Sequence, residues 1–233
     1  MKIIKQNIKI INIIDSLKIY KKLEEIGRVC YKSENKITND SYIGFLQRII
    51  DSKHYSVLEH ESISIHITCD RAISHQIVRH RIASYSQESQ IYCNYANNKF
   101  SSNITSLFPY QFYSIIDNIN MIDTIYLNFK YKTITNPIIL EFITWYETCL
   151  YIEKIYIDMI NKNIKAGFAR NVLVNSTKTE LIMTMNLRMW RYFIATRITN
   201  ANHIQIIEIA TMINNELKKQ LPIIFNNIEK ENE

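Results

Sequence analysis

Between residues 62 and 71 the hydrophobic period of this chain changes abruptly. Ser62-Ile63-Ser64-Ile65-His66-Ile67-Thr68 alternates polar and apolar side chains, the two-residue period of a strand with one buried face. The strand stops at Cys69-Asp70, and Asp70 is placed to cap a helix running from Arg71 to about Ile82, because its carboxylate can accept from the free N–H groups of a first turn. On that helix Gln76 and Arg79 fall on adjoining flanks, with His80 one turn on from Gln76, while Ile73, Ile77 and Val78 supply apolar contacts. A strand thus runs straight into a helix that carries Gln76 and Arg79 toward one ligand.

The same two periods organise the rest of the chain. Ile8 to Ile14 reads as a short strand, Leu17 to Tyr31 as a helix capped from Asp15-Ser16, and Asp40 to Ile50 as a shorter helix with Leu46 and Ile49 toward a core. Asn136-Pro137 opens a long helix to about Ile164, with Asn as the cap and Pro in the first turn, where its missing N–H is no loss. Ala169 to Val174 connects to a strand at Glu180 to Met185. Leu187 to Ile198 is a helix carrying Arg188, Arg191 and Arg197, and a last helix spans Ala201 to Leu221. The polar stretch Ser84 to Asn98 reads as a loop, extended from Asn94 through Phe108; loops of that length are functional or mobile. No repeat or linker interrupts residues 1–233, which suit one domain.

Composition narrows the chemistry. With 47% hydrophobic and 21% charged residues the chain should fold. A net charge of +6 suits an anionic partner, or simply a surface solubilised by lysine. Only three glycines are present, which excludes a P-loop and a glycine-rich dinucleotide fingerprint, so any phosphate must be held by side chains. Cys30, Cys69, Cys93 and Cys149 form no C-x-x-C pair and are expected as buried, reduced thiols. The N-terminus has no signal-peptide core, and no run of about 18 apolar residues offers a membrane span. A cytoplasmic protein without membrane contact is the expectation.

Arginine is the rarer cation here, nine residues against 19 lysines, yet Arg79-His80-Arg81 sets two side by side and Ser89 follows after seven residues. A guanidinium grips phosphate or carboxylate through a fixed fork of donors, so an anionic ligand is indicated. The two arginines should keep His80 neutral. Five histidines lie between positions 54 and 80, but none forms an H-x-x-x-H pair with an acidic helper, so no metal site is expected. Ser84 and Ser89 lack a Gly-x-Ser-x-Gly elbow and read as anchoring hydroxyls. Arg191 reads as part of a solvated helix face. Arg197, following Phe193-Ile194-Ala195, points instead to an anionic partner.

Arg79-His80-Arg81 with Ser89 resembles the signature of the flavin-dependent thymidylate synthases. His54-Tyr55-Ser56-Val57-Leu58-Glu59-His60, Ser74-His75-Gln76-Ile77-Val78, Ala169-Arg170 and Asn186-Leu187-Arg188 through Arg197 stand in that family's order. The resemblance implies a mixed α/β domain with a central sheet flanked by helices, assembled as a homotetramer with active sites shared between subunits. It implies conversion of dUMP to dTMP with methylenetetrahydrofolate as carbon donor, FAD as hydride carrier and NADPH as reductant. FAD would meet His54, Ser56, Arg79, His80, Arg81, Gln87, Asn186, Arg188 and Tyr192. Gln76, Arg79, Gln87, Ser89, Arg170 and Arg197 would meet dUMP. Arg197 would act catalytically, favouring ionisation of uracil N3 and so enriching C5 in electrons. No cysteine nucleophile is needed, and the hydride chemistry belongs to the flavin.

Two positions depart from the family pattern. Ile91 stands where an Arg beside the nucleotide is usual, a loss worth about 2–5 kcal/mol if that Arg grips phosphate. Tyr192 stands where His or Asn is usual near FAD. These departures leave open a catalytically impaired flavin or nucleotide binder. A nucleic-acid-binding protein is a further alternative, disfavoured because the arginines cluster as for a pocket, without interleaved aromatics; no nucleic-acid partner is expected.

Overall fold

The computed structural model describes residues 1–228 apart from 98, 100, 101, 117 and 131. It opens with strands β1 (Lys2–Ile4) and β2 (Asn7–Ile10), followed by helices α1 (Ser16–Tyr31) and α2 (Ser41–Asp51). Strand β3 (Ser62–Asp70) leads into α3 (Arg71–Ile77), β4 (Ser84–Gln87) and β5 (Thr105–Leu107). Helices α4 (Ile122–Lys130), α5 (Pro137–Asn161) and α6 (Ala166–Ala169) come next, then strand β6 (Lys178–Asn186). Helices α7 (Leu187–Arg197), α8 (Ile204–Gln220) and α9 (Pro222–Phe225) complete the series. The fold is mixed α/β, as the resemblance implied. Its four-stranded sheet has the order β2-β3-β6-β4, and β1 pairs with β5 in parallel, Lys2 opposite Thr105.

The chain separates into two compact units. One holds residues 1–6, 68–75 and 87–181; the other holds 7–67, 76–86 and 182–233. The units divide within β3, β4 and β6, so each of these strands has residues in both.

The second unit contains β2, α1, α2, α7, α8 and α9. Alternation along β3 buries Ile63, Ile65 and Ile67, each at most 1% exposed, and Trp190 of α7 donates its indole N–H to Ile63 O at 3.0 Å. Strand β2 is shorter than its apolar run because Asn12 takes over: its side-chain oxygen accepts from Ser64 N at 2.7 Å, a bond that a backbone carbonyl would otherwise supply. Asp15 caps α1 through Lys18 N. Helices α1 and α2 approach closely at Gly27, where an added Cβ would lie 2.6 Å from Phe45 Cζ and 3.3 Å from Val57 Cγ2.

The first unit is built around aromatics. Phe108, Phe112, Tyr126, Phe142 and Tyr146 are buried together, and Phe112 meets Phe142 edge-on with ring centroids 5.7 Å apart. Asn136 caps α5 by accepting from Ile138 N, with Pro137 in the first turn as its position predicts.

Four readings of the sequence need correction. Asp70 does cap α3, accepting from Ile73 N at 2.7 Å, but the helix ends at Ile77, so Arg79 and His80 are not on it. The chain turns instead through Ile82 at φ 60°, and the Tyr85 hydroxyl sits 3.0 Å from Ile77 O, which also accepts from His80 N, and 2.9 Å from His80 O, sharing its one proton between carbonyls that a longer helix would have used. Ser84–Gln87 is strand β4, not loop: neighbouring β6 supplies ladder partners that override a polar composition. The long loop also contains β5, held by parallel pairing to β1, while residues 98, 100 and 101 of that stretch lie outside the described residues. The cysteines are mixed as well, Cys69 and Cys149 buried, Cys93 partly so, and Cys30 exposed.

Candidate active site

In the second unit, Arg197 closes α7 and reaches back to the turn after α3. Its Nε donates to His80 Nε2 at 2.7 Å, its Nη1 to Asn202 Oδ1 at 3.0 Å, and its Nη2 to the Gln76 carbonyl at 3.4 Å. Asn202 is itself fixed, donating to Thr196 O at 2.8 Å and Thr199 Oγ1 at 2.7 Å. All three acceptors of Arg197 are neutral, and among the described residues it makes no ion pair. A half-buried guanidinium is therefore oriented on every branch while its charge stays uncompensated.

His80 is 8% exposed and packs edge-on against Phe193, centroids 4.7 Å apart. Burial first, and the Arg197 charge second, push its pKa down from 6.5 to about 4. The neutral ring that the sequence implied is present, but the cation responsible is Arg197 and not the flanking Arg79 and Arg81. Because a guanidinium only donates, His80 Nε2 must be unprotonated, which places the ring proton on Nδ1. Arg79 and Arg81 are exposed and make no ion pair among the described residues.

Two neighbouring cavities of the same unit share a wall at Arg188. One, of about 290 Å³, is lined by His54, Ser56, Lys53, Tyr31 and Cys30 besides Arg188; the other, of about 230 Å³, by Tyr192, Tyr55, Arg191 and Ala195 besides Arg188. Arg188 also pairs with Glu59 at 2.5 Å, both side chains about half exposed. Asn186 spends its side-chain oxygen on capping α7, accepting from Met189 N at 2.9 Å. Four of the residues expected to meet FAD, His54, Ser56, Arg188 and Tyr192, are thus gathered at these cavities. A flavin fits the donor set: three cations, Lys53, Arg188 and Arg191, for a diphosphate, three tyrosine rings, Tyr31, Tyr55 and Tyr192, for stacking, and a buried Nε of Arg191 without a partner.

Arg191 corrects another expectation, for it is buried and not on a solvated face. It donates to the carbonyls of Ile224 and, at 3.0 Å, Asn227, with its guanidinium 5.0 Å from the Tyr55 ring centre. The carbonyls that bury it come from a segment more than thirty residues on, invisible to any local pattern.

The first unit holds the remaining candidates. Gln87 Nε2 donates to Ser74 Oγ at 2.9 Å and to Thr179 Oγ1 at 3.3 Å, the hydroxyl that also receives Arg71 Nη1 at 3.4 Å. Ser89 organises a turn, its Oγ accepting from Ile91 N and its carbonyl from Tyr92 N and Cys93 N. Ile91 is 51% exposed. Lys178 does not replace the arginine missing at that position, because Glu88 and Glu180 both hold its Nζ at 2.7 Å. Arg170 is half-buried at the start of a 3-10 turn and makes no ion pair among the described residues. Asn202, Tyr85, Lys53 and Tyr31 were missed by sequence reasoning. In a chain so rich in Asn, Lys and Tyr, single residues of these types carry no signal.

A model of the family described as thymidylate synthase complementing protein matches residues 12–223. Flavin-dependent thymidylate synthases of Mycobacterium bovis and Mycobacterium tuberculosis are each 31% identical over 214 residues, covering 89% of this chain and 78% of the relative. One from Mycobacterium avium is 29% identical with the same coverage. The extent of these matches, together with the Arg-His-Arg turn and its Arg197 partner, shows that the chain belongs to the flavin-dependent thymidylate synthase family.

Proposed function

We propose that the protein converts dUMP to dTMP, taking the carbon unit from methylenetetrahydrofolate and reducing power from NADPH through FAD. The observation that carries this reading is Arg197, a guanidinium held by three neutral acceptors with no carboxylate to quench it. Such a charge beside uracil favours loss of the N3 proton and delocalises the resulting negative charge toward C5, the atom to be alkylated. His80 contributes position: its neutral Nε2 fixes the Arg197 fork without cancelling its charge. When bound, the flavin supplies the hydride chemistry. His54, Ser56, Arg188 and Tyr192 would hold it; Gln76, Arg79, Gln87, Ser89 and Arg170 would complete the nucleotide contacts, with Arg81 and Asn186 on the flavin side. A homotetramer with sites shared between subunits accords with candidates being distributed along most of the chain, and light scattering tests it.

The purified protein is expected to be yellow and to consume NADPH when both dUMP and methylenetetrahydrofolate are present. Protein that cannot be loaded with FAD defeats the reading. Arg197→Gln should lower turnover by about 10²–10³-fold, the usual loss when one transition-state donor is removed, while the flavin stays bound.

A further inference from the structure

A further cavity of the second unit, about 420 Å³, shares Tyr31 and His54 with the 290 Å³ cavity and is otherwise lined by residues with no part in the site described above. Arg28, Lys36 and Arg48 contribute to its lining, with hydroxyls from Ser33 and Ser52, and no carboxylate does. Arg28 is neutralised by Glu24 at 2.7 Å, both side chains buried, and its guanidinium lies 4.8 Å from the Phe45 ring centre. That pair makes a rigid floor. Arg48 has only its Nε occupied, on the Gly44 carbonyl at 3.2 Å, and neither Arg48 nor Lys36 makes an ion pair among the described residues. Two cations therefore face a chamber of ligand size with nothing to balance them.

We propose that this cavity binds the phosphorylated adenosine end of the dinucleotide reductant. Arg48 offers a fork matched to phosphate, Lys36 a second positive charge, and Phe45 with the exposed Tyr31 an aromatic setting for a purine. The shared Tyr31–His54 wall, with Tyr31 Oη 3.0 Å from His54 Nδ1, adjoins the cavity assigned above to the flavin, where the other end of such a molecule has to arrive. The inference rests on the reading that a flavin is reduced there by NADPH. An adenosine phosphate could also belong to FAD itself, and the test separates the two sources.

The experiment measures adenosine 2′,5′-bisphosphate binding by calorimetry, on flavin-loaded and flavin-free protein, for wild type, Arg48→Gln, Lys36→Gln, the double variant and Arg48→Lys. Each single neutralisation should weaken binding about tenfold and the double about a hundredfold, with Arg48→Lys between, at unchanged melting temperature. The KM for NADPH should rise in step while FAD content and the folate KM stay constant. Unchanged bisphosphate affinity in the double variant overturns the proposal. So does loss of FAD in place of loss of NADPH affinity, or a rise confined to the folate KM. Wild-type protein that takes up no flavin yet binds the bisphosphate through Arg48 and Lys36 would remove the functional reading and leave this site standing.

Discussion

Arg197 and His80 share one hydrogen bond, and it ties the charge state of a buried ring to the pH of the solution. With its pKa lowered to about 4 in the folded chain against 6.5 when unfolded, His80 is neutral in both states above pH 6.5 and exerts no penalty there. Below 6.5 the unfolded chain takes up the proton first, so stability falls as pH drops from 6.5 through 4. The melting temperature should follow that slope, and His80→Gln should flatten it; a wild-type profile flat across this window would contradict the assignment. Ile91 gives a second prediction: with Lys178 held by two carboxylates, Ile91→Arg should tighten dUMP binding at least tenfold, read by flavin absorbance during titration. At this scale the sequence was uneven. Arg197 stood out as a cation after Phe193-Ile194-Ala195, although its three neutral acceptors were not readable from that context. Arg191, on the same helix, was misread because its partners are carbonyls near residues 224–227.

Among the elements, α3 shows how a cap and a stop arise from different information. The start is local, Asp70 accepting from Ile73 N, and was readable. The stop depends on Tyr85 arriving from the next strand to cover two carbonyls, which no helical periodicity contains. Asp70→Ala should therefore destabilise the protein by about 1 kcal/mol, measured by urea unfolding, as for other N-caps. The long capped helices α1 and α5 were legible nearly to their ends because cap, period and length agree. Strands β1, β4 and β5 were not: each is three or four residues long and owes its existence to a neighbouring strand.

For the molecule as a whole, the expectation of one domain predicts a single cooperative transition, and the two compact units set the alternative against which it is tested. Calorimetry tests this best with Phe142→Ala, a fully buried ring in the aromatic cluster whose loss should remove about 3–5 kcal/mol. One transition moved to lower temperature is expected; a new, separate transition would show that the two units melt independently. At this scale the family was legible from dispersed motifs, whereas the cavities were not: the two at Arg188 join residues far apart in the chain, and the walls of the 420 Å³ cavity, all between Arg28 and His54, meet only through the packing of α1 and α2. Gly27 illustrates what such walls conceal. Even a methyl group there would press into the Phe45 ring, and that ring is part of the 420 Å³ chamber. One missing carbon on α1 acts as a gauge block: enlarge it, and the bore that admits a base narrows although no residue facing the ligand has been altered.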